Sequence, residues 1–116
     1  MNLTLLIDWL GSGGKPVSQA LADERGAVCE ICVENKKGKW WETAKDAIAE
    51  AIKRTLAFKN EHGYKVSMEE NLNICRICGC CTRLKIWVPK ETIDQRIKDV
   101  SPFPENCWIR RERTTQ

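Results

Sequence analysis

The stretch Cys75-Arg76-Ile77-Cys78-Gly79-Cys80-Cys81 decides how this chain is read, because it places four cysteines within seven residues. A second pair, Cys29-Glu30-Ile31-Cys32, precedes it with 42 residues between, and Cys107 follows it. Two cysteines separated by two residues can aim both sulfurs at one point, and tetrahedral zinc takes thiolates at about 2.3 Å. A glycine directly after the second cysteine relieves crowding, because it adopts positive φ without a Cβ clash. Cys75-x-x-Cys78-Gly79 therefore reads as a zinc knuckle, and Cys29-x-x-Cys32 as the pair that completes a four-cysteine site.

Three ligand arrangements fit this spacing. In the favoured one, Cys29, Cys32, Cys75 and Cys78 hold one zinc ion, and Cys80, Cys81 and Cys107 are packing or spare thiols. In the second, Cys80 or Cys107 replaces one of those four. In the third, six cysteines hold two zinc ions through two bridging thiolates and leave Cys81 out. An iron–sulfur cluster uses the same ligand type, but C-x-x-C-x-C is not the usual C-x-x-C-x-x-C run. An all-cysteine site is closed and structural, whereas catalytic zinc keeps an open position. His62 is the only histidine. It is the only base on offer to a nucleophilic cysteine, so neither an enzyme nor a small-molecule substrate is expected.

The chain has 116 residues, 42% apolar and 30% charged, which is ordinary for one soluble domain. We expect a single domain over residues 1–116, with an N-terminal arm and Gly-rich loop at 1–14 and a polar tail at 110–116. Residues 1–10 are apolar, but Asp8 interrupts them and no basic stretch precedes them, so they do not read as a secretory leader. No 18-residue apolar run is present to span a membrane. A reducing compartment is expected, and there C-x-x-C pairs favour metal over disulfide. Net charge is +3 with both signs interspersed, which is not the footprint of a strongly basic nucleic-acid binder. A local basic surface is still readable in Lys36, Lys37 and Lys39 beside Trp40-Trp41, and in Arg110, Arg111 and Arg113 of the tail. Nucleic-acid binding through phosphate contact and base stacking is therefore the alternative function.

Local patterns supply the elements. Residues 3–10 can be a short helix or a strand, broken by Gly11-Ser12-Gly13-Gly14. Pro16 suits a first helical turn, and Gly26 the end of that helix. Thr43 and Asp46 resemble a capping box before a stripe of Ala44, Ala47, Ile48, Ala51, Ile52, Thr55 and Leu56. Gly63 is the natural cap at its far end. Ser67-Met68-Glu69-Glu70 reads as a capping box for a short helix over 68–74. Residues 83–88 alternate with period two and read as a strand stopped by Pro89. Residues 92–100 read as a helix with Ile93, Ile97 and Val100 inward, and 101–104 as extended chain. The fold class is α+β, mostly helical: a small zinc-stabilised domain with a knuckle and a short β element.

Arg25-x-x-x-Cys29-x-x-Cys32, Cys75-x-x-Cys78-Gly79-Cys80 with Leu84-Lys85 after it, and Cys107-Trp108 together resemble a group of small uncharacterised cysteine-rich, zinc-binding proteins of bacteriophages and prophages. The likeness covers the cysteine framework. In shorter members the last cysteine precedes Pro and a Gly-Lys-Trp, where this chain has Asn106-Cys107-Trp108, and here a full helix separates the cysteine pairs. The resemblance implies a phage or bacterial context, in the host cytosol or the virion. With it, the expected function is a non-enzymatic, zinc-stabilised structural or protein-interaction module with a protein partner. Its five tryptophans are the candidate core or interface anchors.

Overall fold

The structure, a computed structural model, describes residues 4–36 and 38–114. Lys37, the side chain of Trp40 and the last two residues of the expected tail lie outside it. Helices α1 (Thr4–Gly11), α2 (Gln19–Ile31), α3 (Ala47–Glu61), α4 (Thr82–Lys85), α5 (Lys90–Arg96) and α6 (Trp108–Thr114) surround two very short strands. Strands β1 (Asn35–Lys36) and β2 (Ile74–Cys75) pair antiparallel, with Asn35 opposite Cys75 and Lys36 opposite Ile74. The mostly helical α+β class is as expected.

Residues 4–11 are helical because Leu5 and Trp9, one turn apart, bury in one core cluster, while Leu6 buries in a second. The glycines end α1. Gly13 and Gly14 take φ of 110° and 66°, and Gly14 is buried where a Cβ would come 3.0 Å from Phe58 Cζ. Trp9 donates its indole N–H to Lys15 O at 2.8 Å, which ties the loop to the helix.

Two boundaries of α2 differ from expectation. Ser18, not Pro16, opens the helix by accepting from Leu21 N at 3.2 Å. Gly26 does not end it. The helix runs through Gly26 because Met68 crosses there: a Cβ at 26 would stand 2.7 Å from Met68 Sδ. This glycine serves close approach, and the added turn delivers Cys29 inside the helix and Cys32 as its C-cap.

Helix α3 is present as read, but Asp46 caps it directly, accepting from Ala49 N at 2.8 Å, in place of the Thr43 box. Its buried face is also rotated. Ala49, Ile52, Thr55 and Lys59 face inward, while Ala47 and Ile48 are exposed. The rotation follows Lys59, whose ammonium pairs with Glu69 and donates to Tyr64 O at 2.7 Å. Gly63 follows the helix with φ 73°, as expected. The Ser67 capping box does not form. Residues 69–71 make one 3-10 turn, since Glu69 is drawn to Lys59 and Glu70 to Lys39 and Arg83.

The expected strand over 83–88 is overturned. α4 occupies residues 82–85, a turn follows, and every residue from 80 to 88 is buried. A period-two reading needs one solvated face, and this segment has none. Helix α5 starts two residues earlier than read, after Pro89, with Ile93 and Ile97 buried. Residues 101–104 turn back, with Phe103 N donating to Val100 O at 3.1 Å, where extended chain was expected. The expected polar tail is α6. Trp108 and Ile109 bury there, Arg113 pairs with Asp94, and Glu112 pairs with Arg25 of α2.

The radius of gyration is 13.1 Å, close to the roughly 13 Å of a single compact chain of this length. Among the described residues, no helix is long and apolar enough to cross a membrane.

Candidate metal centre

Three separate segments bring their cysteines together. The end of α2 supplies Cys29 and Cys32. The knuckle after β2 supplies Cys75, Cys78 and Cys80. The residue before α6 supplies Cys107. The knuckle has the expected turn: Gly79 takes φ 72°, Gly79 N donates to Cys75 O at 2.8 Å, and Cys75 N donates to Cys80 O at 3.0 Å. The Asn35–Cys75 pairing then fixes the knuckle against the chain leaving Cys32.

Cys29, Cys32, Cys75 and Cys107 line one small cavity of about 10 Å³, together with Thr82, Lys85 and Phe103. Cys78 lies to one side of this group. Its sulfur accepts from the Lys85 ammonium at 3.4 Å, and its carbonyl accepts from the Cys80 thiol at 3.8 Å. Cys81 faces away, in a second core cluster with Leu6, Trp41, Ile52 and Leu84. The indole N–H of Trp108 donates to Cys29 Sγ at 3.1 Å. No disulfide joins the seven cysteines. Among the described residues, no group of three or more His, Cys, Asp or Glu side chains is set out to hold a metal ion.

The electrostatics follow from burial and from these contacts. Burial pushes the thiols of Cys29 and Cys81 up to about 11. Cys75 is raised first by its hydrogen bond with Cys78 and then by burial, and burial also raises Cys107. The hydrogen bond with Cys75 favours the Cys78 thiolate, but Cys80 and burial outweigh it and leave Cys78 raised. Cys80 is lowered, chiefly by its hydrogen bond with Cys78. Burial opposes the charge on Lys85, yet the sulfurs of Cys78, Cys29, Cys75 and Cys80 more than offset it and raise its pKa.

Sequence reasoning therefore found the cysteines but not the groups around them. Lys85 and Trp108 Nε1 were missed as neighbours of sulfur. The available signal was a lysine inside the otherwise apolar run from Leu84 to Val88. Arg25 was missed as well. Its guanidinium is fully buried, donates to Ile86 O and Val88 O, pairs with Glu112, and lies 4.2 Å over the Trp108 ring. It thereby docks α2, α6 and the end of the buried segment around the thiols.

Of the described basic residues of the alternative reading, several are engaged within the fold. Lys36 is exposed, but Lys39 pairs with Glu70 at 2.5 Å. Arg110 donates to Phe103 O at 2.9 Å, Arg113 pairs with Asp94, and Arg111 is exposed on α6. Trp41 is buried beside Arg83, as expected of a tryptophan packed on the core rather than a stacking platform. His62 is exposed at the end of α3, with Nδ1 2.8 Å from Phe58 O, and is not among the residues lining the thiol cavity.

No protein-family profile, curated protein or solved structure matches the chain. The fold and site define its class: a small α+β domain with a buried thiol cluster at the junction of α2, the knuckle and α6.

Proposed function

We propose that this chain is a non-enzymatic binding module whose fold is closed by one zinc ion at the thiol cluster. One observation carries the reading: four cysteines from three sequence-distant segments line a single cavity. Cys29, Cys32, Cys75 and Cys107 would be the ligands, with Cys78 and Cys80 beside them. The choice of Cys107 follows the cavity lining in place of the sequence preference for Cys78. The Trp108 N–H to Cys29 is the kind of outer hydrogen bond that orients a metal-bound thiolate. When bound, zinc would link the three segments and turn binding energy into folding energy. Because the four thiols line the cavity without standing in a ligating arrangement, uptake would draw α2, the knuckle and α6 together.

An all-cysteine centre leaves no position for substrate, which supports a structural role over a catalytic one. The protein-binding part of the reading is supported by Ile31 and Val33, 83% and 77% exposed. They stand beside a groove of about 330 Å³ that Val28 and Pro104 also line. An accessory role in a phage or its bacterial host is the context that the cysteine framework suggests.

Native mass spectrometry with elemental analysis tests the metal. One zinc per chain, lost in Cys29→Ser and kept in Cys81→Ser, is the expected result. Two zinc ions would bring Cys78 and Cys80 into a bridged site. A chain purified under reducing conditions that takes up no zinc overturns the proposal.

A further inference from the structure

We infer that Lys85 is the internal counter-ion of the thiolate centre and sets its affinity for a divalent metal ion. The inference rests on the zinc reading above and extends it to a residue outside the ligand set.

Among the described residues four cations are buried, and three of them have a carboxylate. Arg25 faces Glu112, Lys59 faces Glu69, and Arg83 lies 3.7 Å from Glu70. Lys85 is the exception. It is 1% exposed, has no carboxylate within ion-pair distance among the described residues, and makes its one side-chain hydrogen bond to Cys78 Sγ at 3.4 Å. It lines the same cavity as Cys29, Cys32, Cys75 and Cys107. Its Nζ also stands near two ring faces, 5.5 Å from the centre of Trp108 and 6.0 Å from that of Phe103. Rings offer a cation part of what water would, and a buried ammonium needs an anion. Half-buried Glu34 also lines this cavity but makes no ion pair with Lys85, so the group in direct contact with the ammonium that can carry negative charge is a cysteine sulfur.

The complement holds for the metal. A divalent ion with four thiolates carries two net negative charges, and a dianion in an apolar interior is costly for the same reason. Lys85 halves that charge from within. Its position is rigid, since all four residues of α4 are buried and Lys85 N donates to Cys81 O at 2.9 Å. The ammonium is thus already at the cavity in the metal-free chain. It is a positioning and charge-compensating residue, not a ligand.

Two effects of opposite sign follow. In Lys85→Met, zinc affinity should fall about 10- to 100-fold, the usual cost of losing an outer-shell partner. The metal-free chain should become more resistant to urea, because a buried charge without a full counter-charge has gone. A residue that only fills space would change both in the same direction. The experiment is competition of the full-length chain with a chelator for zinc. It is run beside a Co²⁺ titration followed by the sulfur-to-cobalt charge-transfer band, with urea unfolding of the metal-free protein in parallel. Lys85→Gln carries the same test should the Met variant not fold, and Lys85→Arg should recover most of the affinity. If the neutral variants bind zinc within twofold of the parent, the inference is overturned and the zinc reading stands. If the parent itself binds neither Zn²⁺ nor Co²⁺, the zinc reading fails first and takes this inference with it.

Discussion

Replacing Glu112 with Ala exposes how far the thiol site depends on a contact made elsewhere. Arg25 is fully buried on α2, and its Nη2 meets Glu112 Oε1 of α6 at 2.6 Å, while Nε meets Oε2 at 2.8 Å. In the variant, Nη1 keeps Ile86 O and Val88 O, but two donors lose their acceptor and the cation loses its counter-charge. Breaking a buried pair from one side costs roughly 3–5 kcal/mol. Glu112 is 22% exposed, so water can replace part of the carboxylate, which lowers the expectation to about 2–3 kcal/mol. That is a large share of the roughly 5–15 kcal/mol that holds a domain of this size. Urea unfolding followed by tryptophan fluorescence measures it, since Trp9, Trp41, Trp87 and Trp108 are buried. Because α6 carries Trp108 and adjoins Cys107, Glu112→Ala should also weaken zinc retention. Replacing both partners, as Arg25→Met with Glu112→Leu, should cost less than Glu112→Ala alone, because no charge is stranded. A Glu112→Ala loss below about 0.5 kcal/mol would refute the account of Arg25 as the dock of α2 on α6, since that is the range of an ordinary surface substitution.

Three further outcomes are expected. Asp46→Ala should destabilise the fold by about 1 kcal/mol in urea, because it removes the oxygen that caps α3, whereas Thr43→Ala should be near neutral. The Asp94 carboxyl is pushed up by partial burial, but hydrogen bonds from Lys90 and Arg113 hold it below the ordinary carboxylate value. Its contribution is therefore complete above the unfolded carboxylate pKa of about 3.9 and is lost as pH falls through the lower folded value. Unfolding curves of Asp94→Asn should show a shallower loss of stability on the acid side, and an unchanged acid limb would contradict the pairing. At Gly26, Ala gains about 1 kcal/mol of helix propensity but places a Cβ against Met68. Gly26→Ala should accordingly be more favourable by roughly 1–3 kcal/mol in a Met68→Ala background than alone, measured as a double-mutant cycle.

Features that depend on neighbours in the chain were legible in advance. Gly79 after Cys78 and Gly63 after α3 take the positive φ that their positions call for, and the long periodic segment at 47–61 is a helix. Where a side chain's surroundings come from distant residues, local pattern misled. Alternation over 83–88 suggested a half-exposed strand, but the segment is covered on all sides, so Arg83 and Lys85 are interior cations. The polar string at 110–116 suggested a free tail, yet residues 110–114 are helical, and Glu112 and Arg113 pair with Arg25 and Asp94. Gly26 looked like a stop and is a point of close packing.

The sequence by itself determined that this is a small, mostly helical α+β chain built around two C-x-x-C pairs, because sulfur spacing and helix periodicity act over a few residues. Only the tertiary structure decided that Cys107 joins Cys29, Cys32 and Cys75 at one cavity while Cys78 stands beside Lys85. That choice depends on contacts between residues far apart in the chain, such as Arg25 with Glu112 and Trp108 with Cys29. Burial and counter-charge are set by which segments meet, and no local spacing encodes that.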